Sequence, residues 1–144
     1  MKIALGADHA GFRLKESVKS YLISKGYKVI DEGTYSEESV DYPDFAKKVA
    51  EDLKNNVADF GILVCGTGIG MSIAANRIKG IRAALCLFPE MAKLARSHNN
   101  ANVLVLPGRL IGPELANWIV EAFLTEGFQG GRHEKRIQKL EELG

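Results

Sequence analysis

Residues 60–72, FGILVCGTGIGMS, combine a short apolar run, a glycine-rich turn and the beginning of a helix. The run over 62–64 is apolar with β-branched members, which is typical of a central strand in a parallel sheet. Three glycines at alternate positions let the backbone turn sharply and leave its N–H groups uncovered. Because residues 72–77 are helix-forming, free amides and a helix dipole face whatever lies beside Cys65. The stretch therefore predicts a strand–turn–helix unit with a site suited to an anion.

Cys65 is the candidate reactive group of this unit. Backbone amides and the positive end of a helix favour thiolate over thiol, and they stabilise a developing oxyanion. Two simpler interpretations stay open at this point. A glycine turn after a strand also serves only to bind phosphate, and a buried cysteine also serves as a small hydrophobe. The G-x-G-x-G spacing in mid-chain argues against a dinucleotide site, which needs G-x-G-x-x-G after the first strand.

The rest of the chain alternates strands and helices around this unit. Apolar runs predict strands over 2–6, 28–30, 60–64, 81–87 and 103–106. Helical spacing, prolines and glycines predict helices over about 14–25, 43–53, 72–77, 89–97, 113–123 and 134–143. Regular alternation of this kind predicts an α/β protein with a parallel sheet covered by helices on both faces. Its ligand site is expected beyond the carboxyl ends of the strands.

Length and composition exclude several classes of protein. The 144 residues predict one domain with a sizeable core, and 46% hydrophobic and 26% charged residues are ordinary for a globular protein. A net charge of +1 does not favour a nucleic-acid partner, and no apolar run reaches membrane-spanning length. The start on a predicted strand shows no signal-peptide pattern, and the two separated cysteines fit a reducing compartment. A cytoplasmic enzyme is therefore expected.

Polar residues next to the predicted strands complete the list of candidates. Asp8 and His9 follow the first strand, on the same edge as Cys65, although Asp8 alone would also be read as a helix cap. His98 lies before the last strand, where it could merely complement a helix C-terminus. Arg132 and Arg136 share one helix face and, with a histidine between them, suit a phosphate; a solvated charged face is the alternative. The three histidines lack metal-ligand spacing, so no metal is expected.

Taken together, these motifs resemble type B ribose-5-phosphate isomerase, of the family that also contains galactose-6-phosphate and allose-6-phosphate isomerases. The resemblance runs from residue 1 to about 136 and keeps the order and spacing of the family motifs. They are DHAG at 8–11, DYP at 41–43, CGTGIG at 65–70, RxHN at 96–99 and GGRHxxR at 130–136. The resemblance implies a three-layer Rossmann-like α/β/α sandwich with a five-stranded parallel sheet. It also implies no cofactor or metal, and a homodimer or homotetramer.

The resemblance implies catalytic roles for four residues. Cys65 would be the base that moves a proton between C2 and C1 of the sugar, and Thr67 would assist proton movement among the oxygens. Asp8 and His98 would open the furanose ring. Some relatives place a glutamate on the glycine turn instead, but this turn holds none, which indicates the cysteine subgroup.

The remaining implied roles concern binding. His9, Arg109, Arg132 and Arg136 would hold the phosphate, and Tyr42 and Asn99 would contact sugar hydroxyls. Amides or a hydroxyl of the turn would bind the enediolate oxygen. They belong to Gly66, Gly68, Ile69, Gly70 and Ser72. The resemblance thus implies an isomerase of ribose 5-phosphate and ribulose 5-phosphate. A six-carbon sugar phosphate, a non-catalytic phosphosugar-binding module and, more weakly, a nucleotide-binding oxidoreductase are the alternatives.

The strand order along the chain also predicts a shared site. Cys65 is expected at the carboxyl edge of the sheet, whereas His98 and Asn99 precede the last strand and belong at the amino edge. One sheet can hardly bring both edges to one substrate, but a second subunit can. The C-terminal helix, about 133–143, is expected to pack on that partner.

Overall fold

The strand β3 (Phe60–Cys65) lies at the middle of a five-stranded sheet in a computed structural model that describes residues 1–144. All pairs are parallel, in the order β2-β1-β3-β5-β4. The other strands are β1 (Lys2–Ala7), β2 (Lys28–Asp31), β4 (Ala83–Leu85) and β5 (Val103–Pro107). The helices are α1 (Phe12–Ser24), α2 (Tyr42–Lys54), α3 (Ile69–Asn76), α4 (Pro89–Ser97), α5 (Pro113–Thr125) and α6 (Arg132–Glu141).

Two apolar cores cover the two faces of the sheet, as predicted. Alternate residues of β3 point to opposite faces, so Ile62 and Val64 enter one core while Leu63 and Cys65 enter the other. The first core is closed by α1, α4 and α5, and the second by α2 and α3. The prediction of a parallel α/β sandwich is confirmed, and Cys65 belongs to the face that α2 and α3 cover. None of the helices is both long and apolar enough to cross a membrane.

Among the element boundaries that differ from the sequence predictions, those of β4, α3 and α6 have an identifiable structural reason. β4 covers three residues rather than the predicted seven, because it is an edge strand paired only with β5. α3 begins at Ile69 rather than Ser72, since Gly68 takes a positive φ of 77° and the helix starts directly after it. α6 begins two residues earlier than predicted, after Gly131 with a φ of 57°.

The order of the strands determines where a ligand fits. From β1 the chain runs outward to β2 on one side, then crosses back to β3 on the other side of β1. Such a switch point opens a crevice beyond the carboxyl ends of the two strands. Ala7 pairs with Val64, and the amide of Asp8 donates to the carbonyl of Val64 at 3.2 Å. Asp8 and Cys65 therefore lie side by side at this crevice.

Candidate active site

The turn between β1 and α1 is organised by Asp8. Its Oδ1 accepts hydrogen bonds from the amides of Ala10 and Gly11, both at 3.0 Å. The N-cap of α1 is Gly11, so the interpretation of Asp8 as the helix cap is wrong; the carboxylate closes an Asx turn before the helix. A Cβ at position 11 would lie 2.3 Å from the carbonyl oxygen of Val64, so only glycine lets this turn lie against β3.

The glycine turn after β3 presents unpaired backbone amides. The amides of Gly66, Thr67, Gly68 and Gly70 find no acceptor within the chain. By contrast, the amide of Ile69 donates to Oγ1 of Thr67 at 3.2 Å, and that of Ser72 to the carbonyl of Gly68 at 2.9 Å. These free donors at the start of α3 form a nest that suits an oxyanion. Ser72 contributes only its half-buried hydroxyl, because its amide is used within the helix.

Cys65 is 5% exposed at the base of this nest. Its carbonyl accepts the amide of Gly108 at 2.8 Å, which ties the end of β3 to the loop after β5. The other cysteine provides a contrast, since burial in an apolar core raises the pKa of Cys86 to about 12. A thiol with that pKa is inert near neutral pH. Cys65 differs from Cys86 in position, because it directly precedes the free amides of the glycine turn.

Two side chains flank the glycine turn. A Cβ on Gly70 would lie 2.6 Å from the ring carbon Cζ of Tyr42 and 3.0 Å from its hydroxyl, so the tyrosine ring covers the start of α3. A Cβ on Gly66 would lie 3.1 Å from Nη1 of Arg109, whose amide also donates to the Gly66 carbonyl at 2.9 Å. The glycines thus permit a phenol and a guanidinium to lie close to the turn.

His9 extends the same edge toward the loop before α2. Its Nδ1 accepts the amide of Val40 at 3.2 Å, which fixes the half-buried imidazole with Nε2 left over for another partner. The residues on this edge form the carboxyl-edge group. They are Asp8, His9, Tyr42, Cys65, Gly66, Thr67, Gly68, Ile69, Gly70, Ser72 and Arg109.

A second group lies where α4 ends and α6 begins. The rings of His98 and His133 stack with 4.2 Å between centroids and 14° between planes. The amide of Gln129 donates to the carbonyl of Ser97 at 3.0 Å, which holds the start of α6 against the end of α4. Burial and the nearby positive charges of His98, Arg132 and Arg136 lower the pKa of His133. The neutral ring is thereby favoured in the stack.

The two arginines of α6 remain exposed beside this stack. Arg132 and Arg136 lie one turn apart, and neither forms an ion pair or side-chain hydrogen bond within the chain. Asn99 is exposed next to His98. His133 itself turns inward to stack on His98, because adjacent helical residues point about 100° apart and its side chain is buried. The amino-edge group is therefore Asn99, His98, His133, Arg132 and Arg136.

The length of the sheet separates the two groups. Cys65 pairs with Pro107 at one end of β5, whereas the turn that carries His98 and Asn99 precedes Val103 at the other end. Five residues of strand span about 16 Å. The structure thus brings the predicted site residues together as two groups, and not as one. The stack of His98 on His133 was not predicted, because the only signal in the sequence was that both residues lie in the motifs.

No three side chains of His, Cys, Asp or Glu lie close enough together to hold a metal ion. The chemistry available here is that of a thiol, a carboxylate, imidazoles, guanidinium groups and backbone amides. Such a set can move protons, bind an oxyanion and bind a phosphate.

Comparison with known proteins agrees with this chemistry. Residues 3–140 match the family model described as Ribose/Galactose Isomerase. The chain is 48% identical to ribose-5-phosphate isomerase B of Escherichia coli, over 96% of this chain and 93% of that protein. It is 72% identical to a ribose 5-phosphate isomerase of Thermotoga maritima, with a TM-score of 0.97 over 98% of this chain and 97% of that one. The type B enzyme of Trypanosoma brucei is 46% identical, with a TM-score of 0.95 over 99% and 98% of the two chains.

Similarity of this extent covers both groups of candidate residues and the whole sheet between them. The chain therefore belongs to the ribose/galactose isomerase family.

Proposed function

We propose that the chain is an aldose–ketose isomerase that interconverts ribose 5-phosphate and ribulose 5-phosphate, a reaction of the pentose phosphate pathway. One observation carries this proposal. Cys65 is buried at the end of β3, directly before a turn whose amides are free. The relatives named ribose-5-phosphate isomerase match over almost the whole chain and support the substrate. The chemistry needs no external electron acceptor, because one carbon of the sugar is reduced as its neighbour is oxidised.

Cys65 is proposed as the base of the isomerisation. Its thiolate takes the proton from C2 of the open-chain aldose, and the electron pair forms the C1–C2 double bond of a cis-enediolate. The amides of the glycine turn, including Gly66, Gly68 and Gly70, hold the enediolate oxygen. Thr67 moves a proton between the oxygens on C1 and C2. The proton on Cys65 then returns to C1, which gives the ketose and restores the thiolate.

The furanose ring must open before this step. We propose that Asp8 and His98 carry the proton from the C1 hydroxyl to the ring oxygen, one from each edge of the site. Asp8 is prepared for this role because the Ala10 and Gly11 amides fix its Oδ1 and leave Oδ2 uncommitted.

The phosphate and the sugar hydroxyls are proposed to be bound by both groups. His9 and Arg109 reach the phosphate from the carboxyl-edge group, and Arg132 and Arg136 reach it from the amino-edge group. Tyr42 and Asn99 contact sugar hydroxyls. A phosphate remote from the reacting carbons can use its binding energy to position them.

Two copies of the chain are needed for this arrangement. About 16 Å of sheet separates the two groups within one chain, so the amino-edge group of a second copy completes each site. We therefore propose a homodimer, or a homotetramer built from such dimers, with shared active sites. Large exposed apolar side chains near β4 and α4, including Leu87, Phe88, Met91 and Leu94, give such an assembly an apolar surface. The C-terminal helix α6 is proposed to extend onto the partner, and the enzyme is proposed to act in the cytoplasm.

The test is turnover of ribose 5-phosphate by the purified chain after chelator treatment. We expect ribulose 5-phosphate to form without added metal. Allose 6-phosphate and galactose 6-phosphate, assayed in parallel, test the six-carbon alternative, because a pocket one carbon wider discriminates only weakly. Binding of ribose 5-phosphate without turnover of any of these sugars would contradict the proposal and indicate a phosphosugar-binding module.

A further inference from the structure

Arg96 in the last turn of α4 is a buried charge without a counter-ion. Arg96 is only 8% exposed, and its guanidinium takes part in none of the ion pairs of the chain. Lys15, the other strongly buried cation, lies 2.7 Å from Asp31. Buried charges are normally paired, because an unpaired one carries a large desolvation cost. The retention of a guanidinium at this position therefore needs another explanation.

The contacts of Arg96 are directed at backbone and aromatic rings. Its Nη1 donates to the carbonyl of Ala101 at 2.7 Å and to Oδ1 of Asn100 at 3.1 Å. Its guanidinium carbon lies 4.6 Å from the ring centre of Phe60 and 5.9 Å from that of Phe123. These two rings meet edge to face, with 5.8 Å between centroids. A planar cation that stacks on rings and donates to a turn uses properties that lysine lacks.

The turn that Arg96 holds is the one that carries His98 and Asn99. It ends α4 through Asn100, whose φ of 47° lies in the left-handed region that costs a side-chain-bearing residue about 1 kcal/mol. A second arginine braces the same residue, since Nε of Arg82 donates to the Asn100 carbonyl at 2.9 Å. Burial and the nearby Arg82 cation lower the pKa of Arg96 below the ordinary arginine value. The turn is thus clamped on both sides by guanidinium groups.

We propose that Arg96 is a positioning residue, whose guanidinium holds the turn over 98–101 so that His98 and Asn99 keep the place from which they meet the substrate. For its effect on turnover, this inference rests on the proposed roles of those two residues. Arg96 touches no reacting atom. It acts through the Ala101 carbonyl and the Asn100 side chain, which lie between His98 and the start of β5.

Two substitutions separate the parts of this clamp. Arg96→Met keeps much of the apolar length but removes every donor, which leaves the buried Ala101 carbonyl without its partner. Arg96→Lys keeps the charge and a donor group but loses the planar fork and its stack on Phe60. We expect Arg96→Met to lower kcat/KM for ribose 5-phosphate by about tenfold to a hundredfold, since small misplacements of reacting groups have effects of this size. Arg96→Lys should recover part of the loss.

The direct readout is the environment of the imidazole rings. The chain has three histidines, so their ring resonances can be assigned and followed by NMR. We expect the His98 and His133 resonances to shift or broaden in Arg96→Met. Arg77→Met is the matched control, because Arg77 is an exposed arginine without side-chain hydrogen bonds or ion pairs. Its resonances and kinetic constants should equal those of the parent chain.

Each outcome decides between positioning and a purely structural role. If Arg96→Met or Arg96→Lys lowers the thermal midpoint but leaves the His98 and His133 resonances and the kinetic constants unchanged, Arg96 only stabilises the core and the proposal is overturned. If the methionine variant does not fold, the lysine variant gives the same comparison. Failure of the parent chain to convert ribose 5-phosphate would overturn the proposed function instead, and the NMR comparison would still decide the role of Arg96.

Discussion

The carboxyl-edge group is built from backbone, whereas the amino-edge group is built from side chains. Around Cys65, glycines without room for a Cβ and unpaired amides define the geometry, and strands β1, β3 and β5 fix it. Around His98, one ring stack and two exposed arginines lie at helix ends. Backbone held by a sheet suits a proton transfer that needs exact distances, and long charged side chains suit a phosphate that needs only to be held. In the proposed site, the carboxyl-edge group therefore supplies the isomerising base and its oxyanion donors, and the amino-edge group adds His98 and two exposed phosphate-binding arginines.

Removing the thiol should have the largest effect. We expect Cys65→Ala to lower kcat by at least about a hundredfold, because a proton-transferring group is lost, while phosphosugar binding and the free energy of unfolding stay almost unchanged. Steady-state kinetics and equilibrium binding measure the two. Cys86→Ala is the matched control, since Cys86 is a buried cysteine outside both groups. A near-wild-type kcat for Cys65→Ala would contradict the role of Cys65 as the base, and the carboxyl-edge group would then lack its proposed proton-transferring group.

Mixing two inactive variants tests whether the groups meet between subunits. Cys65→Ala and His98→Ala, unfolded and refolded together, should recover about a quarter of wild-type activity, because half of the dimers are mixed and each has one intact site. Cys65→Ala mixed with Asp8→Ala should stay inactive, since both residues belong to the carboxyl-edge group. Absence of recovery in the first mixture, with subunit exchange verified by mass spectrometry, would show that the site is not shared.

Loss of one arginine should affect binding more than chemistry. Arg136→Ala should raise KM and weaken inhibition by inorganic phosphate by about 2 kcal/mol, or roughly 30-fold, as one charge-assisted contact is removed. The kcat should change much less. Lys139→Ala removes an exposed charge from the same helix and serves as the control. If phosphate inhibition is equal in the two variants, the arginines of α6 form only a solvated face.

The smallest expected effect is a pH dependence of stability that comes from residues in neither group. A hydrogen bond with Asp52, burial and repulsion by that carboxylate raise the pKa of Glu32 from 4.5 to about 7. The folded state therefore favours the protonated Glu32 carboxyl. This group stabilises the folded chain fully below pH 4.5, and the stabilisation is lost as the pH rises through about 7. Glu32→Gln should remove this slope and stabilise the chain above about pH 7 by about 1 kcal/mol, a figure reduced for partial exposure. Urea unfolding at several pH values measures it.

Glu51→Gln, on the exposed surface of helix α2, which also carries Asp52, is the control for this experiment. Its stability should follow the pH dependence of the parent chain. If Glu32→Gln keeps the slope between about pH 5 and 7, the pair of Glu32 and Asp52 is not its source.

Much of this arrangement follows from the sequence. Apolar runs of three to seven residues and the punctuating glycines predicted the parallel sheet and its two covered faces. The predicted edges for Cys65 and His98 also agree with the structure. The start of α3 was less predictable, because a helix that begins on a left-handed glycine has no capping side chain to mark it. The roles of the site residues remain predictions.

Tertiary contacts explain what the sequence did not reveal. The inward turn of His133 depends on the meeting of α4 and α6, which are more than thirty residues apart. The support that Arg96 gives to Asn100 and Ala101 depends on Phe60 and Phe123, which come from two other elements. The unusual conformation of Asn100 follows from these contacts and is not signalled by its neighbours in the sequence.

The separation of the two groups by one strand length has a consequence for concentration. In the proposed assembly an isolated chain holds both groups but no complete site, so turnover requires association. As the protein is diluted below the dissociation constant of its dimer, the rate per chain should fall in proportion to protein concentration, because the dimeric fraction does. Phosphosugar that bridges two chains binds only the associated form, so substrate itself should shift assembly toward the active state.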